Sequence, residues 1–268
     1  MRKELRSEVG FGCPVPGCSV PYLEYHHFDP PWHIENHHRP EGMIALCSVH
    51  HAKADAWTIE QVRHLKLKAV DPNRRVAGRF EWMRGQVLAI AGGNYYLDCP
   101  VILELNETAV IWYNRDDDGH ALLNVRLPTG EGGWSHLLDD NDWRVEGQPV
   151  DVISPPSGHE LGLQYADGTT LNVKFREWKS PVDFFAMHTP MVALAKHLHF
   201  PLVTAAVNIH IPRWKIRLRE KASAFETLTM TNNVSFGCGV GVSMHGGPPI
   251  IPAFSEILKN HRHLFSDS

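Results

Sequence analysis

Residues 13–55 decide how this chain is read. They contain Cys13-Pro-Val-Pro-Gly-Cys18, then Leu23-Glu-Tyr-His26-His27-Phe-Asp-Pro30, and finally Gly42-Met-Ile-Ala-Leu-Cys47-Ser-Val-His50-His51-Ala-Lys-Ala-Asp55. Three of the five cysteines and seven of the eighteen histidines fall here. Such crowding of soft and borderline ligands points to bound metal. Cys13 and Cys18, with Cys47 and His50 roughly thirty residues on, have the two-knuckle order from which a tetrahedral structural Zn²⁺ site is assembled. His26, His27, His51 and Asp55 are left over for a second, chemically active site.

The local pattern predicts two strands and a helix. Tyr22 to Phe28 mixes apolar and polar residues at strand spacing and is stopped by Pro30-Pro31. Met43 to Leu46 is a short apolar run, and a helix should start near Ser48 and reach Trp57. His51 and Asp55 are then i and i+4, one turn apart on one face. Cys47 and His50 sit at the helix start, so one helix can serve both sites.

With its His pair, second strand and Cys-x-x-His-His-x-x-x-Asp helix, residues 11 to 69 resemble the HNH endonuclease family. The resemblance implies a ββα-metal unit stapled by zinc, in which His26, His51 and Asp55 hold one catalytic divalent ion (Mg²⁺, or Mn²⁺ or Ni²⁺) and His27 is the general base. Two positions depart from the family pattern. Gly42 stands where a central Asn is usual, and Asp55 where the last His is usual; Asp remains a competent ligand for a hard ion.

A second helix follows from Thr58-Ile-Glu-Gln61, a capping box, with Val62, Leu65 and Ala69 on one face. Its Arg63 and Lys66, with Arg74 and Arg75 beyond, are candidate phosphate contacts or simply a solvated basic face. The turn-rich stretch 71–79 is expected to link an N-terminal domain, 1–70, to a mostly β domain, 80–268. The fold class expected is therefore α+β.

In the body, runs such as Gln86–Ala91, Ile102–Leu105, Ala121–Leu127, and Leu161–Tyr165 with Thr170–Phe175 read as strands separated by Asp-rich turns. One helix is expected within Ser180–Phe200. Arg213-Trp-Lys-Ile-Arg-Leu-Arg219 reads as a strand presenting Arg213, Lys215, Arg217 and Arg219 on one face, able to track a phosphate backbone or to remain a solvated face. Alternating Gly237, Gly239 and Gly241 suggest a strand requiring close backbone approach. The aspartate runs 116–118 and 139–142 lack the spacing of a helix-loop-helix calcium site.

Composition bounds the rest. At 268 residues, 43% hydrophobic and 21% charged, the chain suits a globular protein of one large or two ordinary domains. No apolar run approaches the roughly twenty residues of a membrane span. The charged N-terminus has no apolar core behind it, so a cytoplasmic location is expected. Cys99 and Cys238, far apart in sequence, fit a reducing compartment better than a disulfide framework.

The net charge of −4 divides unevenly: residues 1–80 carry 11 Lys plus Arg against 9 Asp plus Glu, and the body 15 against 21. A net negative charge is not what a nucleic-acid enzyme usually shows, although the head is mildly basic; DNA is the partner that the resemblance implies, with RNA also open. The β body is expected to sense, target or dimerise, in the manner of restriction or antiphage effectors or, second, of homing nucleases. The competing class is an inactive zinc-stapled module that binds nucleic acid or protein. A non-haem iron oxygenase needs a His-x-carboxylate order that is missing, and neither a P-loop nor a dinucleotide fingerprint is present.

Overall fold

A computed structural model describes residues 1–67, 75–129, 133–226 and 228–246. The chain is mixed α+β and mostly β, with the Cys/His cluster near its N-terminus. In the head, α1 (Arg2–Glu8) precedes β1 (Leu23–His27), β2 (Met43–Cys47), α2 (Ser48–Ala54) and α3 (Ile59–Leu67). β1 and β2 pair antiparallel, Leu23 opposite Cys47 and His27 opposite Met43. All five residues of β2 are buried. They form a core with Leu5 and Val9 of the α1 region, Leu23, Ala54 and Val62.

The start of α3 is as its sequence requires. Thr58 N donates to Gln61 Oε1 at 2.8 Å while Gln61 N donates to Thr58 Oγ1 at 3.2 Å, a reciprocal cap. α2 is shorter than expected: it ends at Ala54, with Asp55 as its C-cap and Trp57 in the following turn.

The body contains two sheets with a shared apolar core. The seven-stranded sheet runs 240–244, 101–105, 108–115, 121–128, 134–139, 142–144, 77–79. The ten-stranded sheet runs 149–153, 160–165, 170–178, 202–211, 216–219, 222–225, 228–230, with 87–91, 94–97 and 234–236 beside it. Strand Leu202–Ile211 is the spine: Leu171 to Trp178 line one edge, and the other is divided between 87–91, in parallel, and 216–219. A second apolar cluster on this sheet, with Leu88, Leu97, Trp178 and Leu202, is capped by Phe184 and Met191.

Several expectations need correction. Strand Ala77–Arg79 pairs with Asp142–Arg144, so the body sheet begins inside the stretch expected as linker. Residues 180–200 form an α-helix, Pro181–Met187, followed by 3₁₀ turns over Thr189–His197, because Pro190 interrupts the backbone donors. Residues 213–219 are not one strand: Pro212–Trp214 is a 3₁₀ turn, Lys215 takes φ +54°, and only Ile216–Arg219 is extended. The close approach expected at the alternating glycines holds at Gly241, where a Cβ would lie 2.5 Å from the Tyr96 ring.

Head and body meet along α1 and strand Pro149–Ile153. Arg6 Nε and Nη2 donate to Asp151 Oδ1 at 3.0 and 2.9 Å, Nη2 also to Oδ2 at 2.7 Å, and Nη1 donates to Tyr25 Oη at 2.8 Å. Tyr22 Oη adds a bond to the Arg79 carbonyl at 3.0 Å.

Candidate functional site

The Cys13–Cys18 loop folds back on itself, Cys13 N donating to Val20 O and Cys18 N to Val15 O, both at 2.9 Å. Cys47 closes β2 and becomes the N-cap of α2, which sets His50 in the first helical turn. Cys13 Sγ and Cys47 Sγ each lie 3.2 Å from His50 Nδ1, and Cys18 Sγ lies 3.9 Å from Cys47 Sγ. A tetrahedron with Zn–S of about 2.3 Å and Zn–N of about 2.0–2.1 Å has edges of roughly 3.5–3.8 Å. The four donor atoms, all within 4.8 Å of one another, are therefore compatible with a structural zinc ion. Burial pushes the Cys13 thiol well above its ordinary pKa. A bare thiolate is disfavoured there, and a cation among the ligands offsets that cost.

The alternation of β1 sorts the second group. Glu24 and His26 share one face, and Tyr25 and His27 the other. His26, only 8% exposed, packs edge-on against His51 with ring centroids 5.3 Å apart. Burial first, and the neighbouring His51 second, keep the His26 imidazole below its ordinary pKa, against the pull of Asp55. His51 Nδ1 lies 3.4 Å from Glu24 Oε2, and Ser48 Oγ donates to Glu24 Oε1 at 2.5 Å. Glu24 was missed from sequence; its signal was its position two residues before His26 on the same strand face. Asp55 is exposed just past the end of α2. Among the described residues, the donor atoms of His26, His51 and Asp55 do not gather as closely as the Cys₃His cluster does.

His27 is held differently. Its Nε2 donates to the His37 carbonyl at 2.9 Å. His37 accepts from Arg39 N at Nδ1 (3.1 Å), so its Nε2 carries the proton and donates to the Pro30 carbonyl at 2.9 Å. His37 is thus a buried fastener. Trp32 and His38 flank the His27 ring at 4.7 and 5.8 Å. Burial is the largest influence on His27 and lowers its pKa. Gly42 lies beneath this loop: a Cβ there would be 2.0 Å from the Asp29 carbonyl and 2.8 Å from His37 Cε1. The approach of these two segments demands glycine where the family pattern has Asn.

The candidate cations differ in how far they are committed. Arg63 is ion-paired with Asp29. Lys66, its side chain 11% exposed, pairs with Glu8 and donates to the Pro40 and Met43 carbonyls, so it fastens α3 to the head core rather than facing solvent. Arg74 lies outside the described residues, and Arg75 is exposed. Lys215 pairs with Glu226 at 2.6 Å, while Arg217 and Arg219 point outward from a strand that buries Ile216 and Leu218. Arg213 is exposed on the 3₁₀ turn.

The Asp116, Asp118 and His120 group also has clustered donors, but Asp116 is occupied within its own turn, accepting from Asp118 N, His120 N and His120 Nδ1. No family model, characterised protein or solved structure matches this chain.

Proposed function

We propose that this chain is a metal-dependent endonuclease of the HNH type that hydrolyses phosphodiester bonds in DNA. The observation that carries this reading is the state of His27: its Nε2 is engaged by a backbone carbonyl, which leaves Nδ1 as the basic atom, and burial favours the neutral ring. His27 then takes the proton of an attacking water at Nδ1, an action that contributes ~10²- to 10⁴-fold. Orientation by the His37 carbonyl takes over the role that the family's Asn side chain would have. The donor chemistry of His26, His51, Glu24 and Asp55, two imidazoles and two carboxylates, suits a divalent ion such as Mg²⁺, Mn²⁺ or Ni²⁺. Such an ion, when bound, neutralises charge on the phosphate and on the leaving oxygen. The Cys13, Cys18, Cys47 and His50 tetrad takes no chemical part; it anchors the start of α2, the helix that carries His51.

Two observations favour a second reading, a zinc-stapled binding module without activity. His26, His51 and Asp55 are not drawn together into a ligand cluster, and Arg63 and Lys66 are taken up by ion pairs. Metal content and plasmid cleavage on one preparation separate the two. Wild type should carry about one tightly held zinc per chain and cut DNA only with added divalent ion. His27→Ala should keep zinc and fold while losing cleavage by ~10²-fold or more; Cys47→Ala should lose the zinc and the folded head. Cleavage by His27→Ala at the wild-type rate removes His27 as the base, and zinc without cleavage of DNA or RNA under any ion favours the binding module.

A further inference from the structure

Chain segments 95–105 and 234–244 run side by side in parallel with an unchanging offset. Tyr95 pairs with Val234 and Leu97 with Phe236 in the ten-stranded sheet, and Val101 pairs with Val240 and Leu105 with Met244 in the seven-stranded sheet. Both segments therefore cross from one sheet to the other at the same place. Cys99 lies midway in the first crossover and Cys238 is the residue in register with it in the second. Their sulfurs are 2.7 Å apart, closer than two non-bonded sulfurs sit at rest. Gly237, at φ +62°, donates to the Leu97 carbonyl at 3.0 Å and turns the second crossover against the first. Sequence alone suggested two unrelated thiols; the sheet register makes them neighbours.

We propose that Cys99 and Cys238 are a reversible dithiol–disulfide couple that clips the two crossovers together. Adjacent strands are about 4.8 Å apart, within the Cα separation a disulfide spans. Cys238, half-buried, is the thiol that solvent reaches; Cys99 is buried. A cavity of about 280 Å³, lined in part by Tyr96, Asp98, Tyr113 and Arg115, lies against Cys99. With a low-molecular-weight disulfide as oxidant, the Cys238 thiolate attacks one of its sulfurs and expels the first small thiolate, giving a mixed disulfide. Cys99 sulfur then attacks Cys238 Sγ and expels the second. Two protein thiols are oxidised, one small disulfide is reduced to two thiols, and the two protein protons end on the departing thiolates. Burial, which raises the Cys99 thiol, is consistent with its acting second.

The test uses the full chain with its zinc retained. It is equilibrated with oxidised glutathione, quenched with an alkylating reagent, digested and mapped by mass spectrometry without reduction, with metal content measured in parallel. The expected result is one linked species joining the peptides of Cys99 and Cys238, two hydrogens lighter than the dithiol, that disappears with excess reduced glutathione. The zinc content should not change. Cys238→Ser should give no linked species, and its Cys99 should stay slow to alkylate. Alkylation of both thiols after oxidant treatment, or glutathione left as a mixed disulfide on Cys238, overturns the proposal.

Discussion

Asp151→Ala is the substitution that most directly tests how the head is fixed to the body. The carboxylate accepts three hydrogen bonds from Arg6, and both side chains are only 10% exposed. Removing it strands a guanidinium against strand 149–153 with only Tyr25 Oη still in reach. Losing one partner of such a buried pair costs about 3–5 kcal/mol. At roughly 2–4 °C per kcal/mol for a chain of this size, the melting temperature should fall by about 6 to 20 °C. The double variant Arg6→Met, Asp151→Leu removes both charges and restores apolar contact, so it should return to within about 1 kcal/mol of wild type or exceed it. Urea unfolding of wild type, Arg6→Met, Asp151→Leu and the double, at constant zinc, gives the coupling energy. A cost below about 1 kcal/mol for Asp151→Ala, or simple additivity in the double variant, would refute the account of a desolvated, mutually dependent pair.

Two further outcomes are expected. Gly42→Asn should destabilise by about 1–3 kcal/mol because its Cβ has no room beside the Asp29 carbonyl; wild-type stability in thermal unfolding would remove the steric reason given for glycine. His188 packs against Trp178, Phe184 and Tyr95, whose hydroxyl lies 3.2 Å from Nδ1, and burial first, Arg176 second, hold its pKa below the ordinary 6.5. Folded and unfolded states are both neutral there above pH 6.5. Below it the unfolded chain takes the proton first, so stability falls as pH drops towards the folded value. His188→Gln should flatten the stability difference between pH 7.5 and 5.5, and an unchanged slope argues against the assignment.

Local chemistry was legible in the sequence, and long-range arrangement was not. The Cys and His order named the four residues that converge, because two knuckles and a helix start bring ligands together with little help from the rest of the chain. Thr58 and Gln61 named their own cap for the same reason. The spine strand 202–211 escaped notice because its first half, Leu202 to Ala206, is apolar but for Thr204 and shows no alternation. That texture follows from burial on both sides, with Val203 and Ala205 in the shared core and Leu202 in the cluster under Phe184. Strands 134–139 and 149–153 were missed as well, the latter holding Asp151, whose partner is on α1. Residues 213–219 did alternate, yet the left-handed backbone at Lys215 converts half of that run into a turn. Glu24 and His37 were overlooked because their importance lies in what they hold, His51 in one case and His27 in the other.

The register of segments 95–105 and 234–244 also bears on the order of assembly during synthesis. The first of these segments leaves the ribosome long before the second, and until residues 234–244 arrive strands 94–97 and 101–105 each lack a parallel neighbour. Asn94 waits too: its side chain, fully buried at the end, accepts from Asn233 N and Nδ2 at 3.0 Å and donates to Ser223 Oγ at 2.9 Å. Pairings so distant in sequence are slow to form, and open strand edges invite the wrong partner meanwhile. The head strands Leu23–His27 and Met43–Cys47 pair with each other and can form as soon as they emerge, while Arg6 waits for Asp151. The body has to be held unfinished until nearly all its described length has been made.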